Sequence, residues 1–151
     1  SIPEGRIQML SHLTPVHMWQ DRYIARDNAI AGLMEVVLAV ADPQASAARI
    51  GRYIGRSPVA DADGWRLACD RGQLRFMDGD ALAAAFGGLA APALPSTAVI
   101  GLASHDLAAT RAFLTSRGTT LVIDDADRLL VAPEDARGTA IQFTPIEEWL
   151  P

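Results

Sequence analysis

At 151 residues, half of them apolar, the chain has the length of a single domain and can bury a core without disulfide or metal staples. Its net charge of −5 excludes a dedicated nucleic-acid binder, because phosphate contacts need a basic face. No apolar run approaches the ~20 residues of a membrane span, so neither nucleic acid nor membrane is expected as a partner.

Residues 1–30 read as an N-terminal arm, apolar but irregular, ahead of a domain spanning 31–151. Residues 6–10 suit a short strand, and Pro15 argues against a long helix through that point. His12, His17 and Trp19 lie here, and the segment around Trp19 and Tyr23 reads as a loop ending at Asp27 and Asn28. The opening residues show no signal-peptide pattern.

From Leu33 the pattern sharpens. Residues 33–40 form a β-rich run ending at Asp42 and Pro43, a helix cap and a residue suited to the first turn. Ala45, Ala48, Ile50, Tyr53 and Ile54 then keep helical spacing as far as Gly55. Strands are expected at 58–60, 65–69 and 73–77, with Asp70-Arg71-Gly72 as the hairpin connector. A helical turn over 80–86 leads into a Gly/Ala/Pro-rich linker, 87–96.

The plan then repeats. A strand at 98–103 precedes a helix capped by Asp106 and ended by Gly118, and strands follow at 120–123, 128–131 and 139–143. Asp42 corresponds to Asp106 and Gly55 to Gly118, which marks an internal repeat with units 33–80 and 97–146. Each unit reads βαβββ, so the fold class is α+β, with two paired units forming a curved mixed sheet around a cavity. The tail from Pro145 carries Trp149 and Leu150, which are expected to pack back.

The phrase from Glu35 through Pro43, with its Ala-rich helix and Gly55, resembles the opening of glyoxalase-like domains, as does 98–118. These belong to the vicinal oxygen chelate superfamily, which includes glyoxalases, bleomycin resistance proteins and dioxygenases. His12-Leu13-Thr14-Pro15 with Trp19 resembles the segment joining the halves of two-domain glyoxalase-like proteins. On that resemblance the chain is the C-terminal part of such a protein, or a natural short version. Residues 6–10 then imitate the last strand of a first domain and seek a partner edge, which a second copy in a homodimer supplies.

The resemblance also implies four positions for metal ligands, on the first and last strands of each unit. Matching the repeat puts Glu35 and Val99 (or a neighbour at 97–98) on the first strands, and Arg75 and Gln142 on the last. Val99 offers no donor and Arg75 brings a positive charge, which works against a bound cation. No cofactor is therefore expected. If a divalent metal binds, its ligands are His12, Glu35 and Gln142. Glu35 and Arg75 can also pair within the cleft or simply neutralise each other at the sheet rim.

Other chemistry finds little support. Cys69 is the only cysteine, which excludes an intramolecular disulfide and fits a reducing cytoplasm; it reads as a buried strand residue, not a nucleophile. All thirteen cationic residues are arginine, so lysine Schiff-base chemistry is absent; that bias fits a GC-rich bacterial genome. No Gly-x-Ser-x-Gly elbow or phosphate-binding glycine loop occurs. His105 suits a turn, and Asp124, Asp125 and Asp127 suit a solvated hairpin tip. Trp19, Tyr23 and Trp65 can stack on a flat ligand or seal an edge.

The first functional expectation is a module that binds a small organic molecule in the sheet cavity without a metal triad. Its ligand-binding residues are His12, Trp19, Glu35, Arg75 and Gln142. The second is a lyase, isomerase or dioxygenase whose metal site His12 completes, with Glu35 the best catalytic candidate. The third is a structural domain whose arm clasps a dimer.

Overall fold

The computed structural model describes residues 2–5, 7–8, 10–11, 13–18, 20–23 and 27–149. Eight strands form one curved mixed sheet. They are β1 Ile30–Ala39, β2 Val59–Asp61, β3 Gly64–Ala68, β4 Gln73–Met77, β5 Ser96–Ser104, β6 Leu121–Asp124, β7 Leu129–Val131 and β8 Ala140–Pro145. The helices are a single turn α1 Pro15–Met18, then α2 Pro43–Ile54, α3 Gly79–Ala85 and α4 Leu107–Ser116. None is long and apolar enough to cross a membrane.

Strand order is β2-β3-β4-β1-β5-β8-β7-β6. Each unit contributes four neighbouring strands, and the units join where β1 and β5 run antiparallel at the centre. Val36 pairs with Ile100, and from there the halves mirror each other: β1 pairs β4 in parallel, and β5 pairs β8 in parallel. The repeat read from the sequence is therefore a pseudo-two-fold arrangement about that pair.

Local chemistry sets the crossover helices. Asp42 sits in extended backbone and accepts a hydrogen bond from the Ala45 amide at 2.9 Å; Pro43 opens the first turn, and Gly55 ends the helix at φ +72°. Asp106 repeats the cap on Ala109 at 2.9 Å. Asp78 caps α3 in the same way, accepting from Ala81.

Alternation along the strands sorts side chains to two faces. On the outer face Leu38, Val40, Leu67 and Phe76 pack with Ala47 and Ile50 of α2, and Leu129, Val131 and Phe143 pack with Leu107 of α4. On the inner face Val37, Ala39, Met77, Val99, Leu130 and Ala140 meet Leu82 of α3 and Phe86. Fully burying a side chain such as Phe76 or Ile50 contributes about 1.5–3 kcal/mol, so these clusters hold both units on the sheet. The α3 segment thus fills one end of the inner face with apolar side chains.

Three expectations need correction. The short strand at 6–10 does not form among the described residues; Ile2 and Ile7 instead pack on the outer-face cluster beside α2. Glu4 pairs with Arg49 of that helix. The arm thus uses an apolar face of its own chain, which removes the orphan strand edge as a reason for a partner. Cys69 is exposed, one residue past β3. The loop around Tyr23 is a single 3₁₀ turn, Asp21–Tyr23.

Candidate functional site

Beyond the α3 plug the inner face turns polar. The register aligns Gln73, Glu35, Gly101 and Gln142 across β4, β1, β5 and β8. One step along, the aligned residues are Arg75, Val37, Val99 and Ala140. Arg75 and Gln142 are thus counterparts under the pseudo-two-fold, as are Glu35 and Val99. The polar row itself joins Glu35 to Gln73, which the sequence reading missed.

Glu35 is 2% exposed. Its Oε2 accepts from the Gln73 amide at 2.5 Å and its Oε1 from Arg75 Nη1 at 3.5 Å. Arg75 also reaches Asp63 Oδ2 in the β2–β3 turn at 3.3 Å. The first unit's polar cluster is therefore internally satisfied, one guanidinium between two carboxylates. Gln73 lies two residues from Arg75 and so on the same face, the signal by which it could have been found.

The second unit differs. Gln142 is 7% exposed, and its Oε1 is buried with no hydrogen-bond partner among the described residues. Gly101 separates it from Glu35 and carries no side chain; a Cβ there would lie 2.9 Å from that of Glu35. Among the described residues, Gln142, Thr144, Asp125, Asp127 and Arg128 line a cavity of about 310 Å³. Arg128 donates to the Ala85 carbonyl at 3.0 Å, which ties it to the end of α3. Asp124, by contrast, pairs with Arg111 of α4 outside this wall. The turn after β6 is thus more than a solvated tip: two of its exposed carboxylates face a cavity.

The remaining candidates separate from this site. His12 and Trp19 lie outside the described residues. His17 is exposed on α1, and His105 is exposed in the bend before α4, its amide donating to the Ala29 carbonyl. Trp65 packs on the outer-face cluster, and Tyr23 is exposed beneath the Arg22 guanidinium. Partial burial pushes the Cys69 thiol up, with Asp70 adding to the shift against Arg56, which is the wrong direction for a nucleophilic thiolate.

A divalent ion is the group that the glyoxalase-like resemblance implies, and the donors among the described residues, which do not include His12, do not fit it. Both oxygens of Glu35 already accept hydrogen bonds, one of them from a cation. The counterpart Val99 and its neighbour Ala140 supply no donor. Among the described residues no three His, Cys, Asp or Glu side chains gather to hold a metal.

No protein-family model matches the chain, and no curated protein matches it. Solved structures do. Methylmalonyl-CoA epimerase from Mycobacterium tuberculosis superposes with a TM-score of 0.65 at 21% identity, over 83% of this chain and 95% of that one. A methylmalonyl-CoA epimerase in complex with methylmalonyl-CoA and NH4+ gives 0.62 at 12% identity, over 77% and 94%. A Streptomyces coelicolor methylmalonyl-CoA epimerase variant in complex with 2-nitronate-propionyl-CoA gives 0.57 at 13% identity, over 77% and 94%. The chain has the paired-βαβββ fold of the glyoxalase/bleomycin resistance/dioxygenase (vicinal oxygen chelate) superfamily, to which those epimerases belong.

Proposed function

We propose that the chain binds a small organic molecule on the inner face of its sheet, in the polar half left open by α3, without a divalent metal. The observation that carries this is the row in which buried Glu35 and Gln142 flank side-chain-free Gly101. Buried polar groups cost stability unless something pairs with them, and this row does nothing for the hydrophobic core. With strands ~4.8 Å apart, Glu35 and Gln142 stand roughly 10 Å apart at the backbone; Gly101 lets β1 pack close between them, and the space for a ligand lies beside Gln142 and Thr144. Convergent polar groups beside an apolar wall are the usual form of a small-molecule site.

Thermal unfolding across a panel of acyl-CoA esters, carboxylic acids, amines and sugars tests the reading. A saturable rise in Tm with at least one class is expected, reduced in Asp127→Arg, which crowds the cavity wall from an exposed position. A panel that leaves Tm unchanged throughout would overturn it.

A second reading, isomerase chemistry on an acyl-CoA, is favoured by the bound methylmalonyl-CoA in one fold neighbour. Glu35 is then the proton-transferring group, set by Gln73 and Arg75. Deuterium uptake at C2 of methylmalonyl-CoA in D2O, lost in Glu35→Gln, would support it; no uptake above the uncatalysed rate would sink it. Homodimerisation belongs to the proposal as well, and sedimentation of the full chain decides it.

A further inference from the structure

The arm and the outer face of the sheet enclose space between them. A cavity of about 460 Å³ has Val36, Leu38 and Leu74 of β1 and β4 as its floor, Ile50 and Ile54 of α2 along one side, and Ile7 of the arm opposite. Protein interiors leave few voids larger than a water molecule, and deeper in this cluster Leu67, Phe76 and Ala47 are fully buried. Around the cavity the same cluster stays unfinished: Ile7, Val36, Ile54 and Leu74 are only partly buried.

The floor decides what such a space accepts. All five of its side chains from the sheet and α2 are aliphatic, so it offers no partner to an ionised group and desolvates whatever enters. The Glu4 carboxylate at the arm side is 3% exposed and already paired with Arg49 of α2, which ties the arm down beside the cavity. No aromatic ring stands among the described lining residues to stack on a flat ligand. Cavities walled by aliphatic side chains take up small apolar molecules, and the volume is within the range of small-molecule sites.

We propose that this cavity is a second binding site, on the face of the sheet opposite the polar row, and that it takes an uncharged aliphatic chain held between the arm and the floor. The assignment goes beyond the inner-face reading above and does not rest on it. The arm acts as a strap: the Glu4–Arg49 pair anchors it, and a bound chain completes the apolar contacts that Ile7 begins.

Three probes titrated into the ¹⁵N-labelled full chain at neutral pH test this: 1-butanol, 1-hexanol and 1,6-hexanediol. Hexanol is expected to shift the backbone amides of Val36, Ile54 and Leu74, saturably at millimolar concentration. Each buried methylene strengthens binding about fourfold, so hexanol should bind at least about tenfold more tightly than butanol. Hexanediol has the same length but is polar at both ends, and should bind at least about fivefold more weakly than hexanol. Bound hexanol should also slow proteolysis within residues 1–10 several-fold, because it bridges arm and floor. Ile54→Trp fills the cavity from a half-buried position and should abolish the saturable shifts; if it disturbs folding, Leu74→Phe reads the same loss of space. No saturable shift, equal binding of butanol or hexanediol, faster cleavage of the arm, or hexanol binding that survives the filling variants would each overturn the assignment. So would shifts centred on Gly101 and Gln142, which put the chain on the inner face. Failure of the inner-face reading looks different: its wider panel leaves Tm unchanged while hexanol still shifts Val36, Ile54 and Leu74.

Discussion

Glu35 is a carboxylate that cannot reach water, and its two partners differ in what they can replace. Gln73 supplies one neutral donor, while Arg75 supplies charge. Removing the cation from a buried ion pair costs about 3–5 kcal/mol when burial is complete. Here the contact is 3.5 Å and Arg75 keeps 17% of its side chain exposed, so Arg75→Leu should cost less, about 2 kcal/mol. Glu35→Gln should cost about 1 kcal/mol, because the new amide can still pair with Gln73 and Arg75 retains Asp63. Urea unfolding of the two variants measures both numbers. Equal costs, or the reverse order, would show that the pair contributes little and that Glu35 is held by other means.

At the scale of elements, the helices are set by residues next to them in sequence. Asp42→Ala and Asp106→Ala each remove the side-chain acceptor for one orphan amide at a helix N-terminus and should each cost about 1 kcal/mol. They cap α2 and α4 in different units, so the double variant should lose the sum to within about 0.5 kcal/mol in urea unfolding. A markedly larger double loss would mean that the two caps are energetically coupled through the sheet between them.

This locality explains what was legible in advance. Asp42, Gly55, Asp106 and Gly118 could be read from the chain because a cap or a stop acts within one turn. The sequence pattern places a strand at 73–77, the range that β4 occupies. The polar row was only half visible, because which residue of β4 stands level with Glu35 depends on the parallel register. That register puts Gln73 there and moves Arg75 one step along. Asp125 and Asp127 looked like a solvated turn because their relation to Gln142 is made by the β7–β8 pairing. Gly101→Ala tests how tightly the central register is held. Its Cβ would lie 2.9 Å from that of Glu35, so the strands must part by a few tenths of an ångström, at about 1–3 kcal/mol. A neutral effect in urea would show that the β1–β5 centre is looser than drawn.

On the scale of the whole molecule, the attachment of the N-terminal arm has a testable pH dependence. Ile2 and Ile7 pack on the outer-face cluster, and the side chain of Glu4, 3% exposed, pairs with Arg49 on α2. Burial pushes the Glu4 carboxyl up, but hydrogen bonds from Arg49 and Ser46 outweigh it and leave the value lowered from its ordinary 4.5. A lowered folded value means that Glu4 stabilises the attached arm fully above about pH 4.5, where the detached carboxylate is also ionised. That contribution fades as pH falls below 4.5 through the folded value, when protonation removes the pair. Glu4→Gln should therefore speed proteolysis within residues 1–10 at pH 7 and make progressively less difference as pH is lowered toward 3, with an acid-active protease used at the low end. A difference between the two proteins that stays constant across this range would show that the apolar contacts of Ile2 and Ile7, and not the ion pair, hold the arm to the sheet.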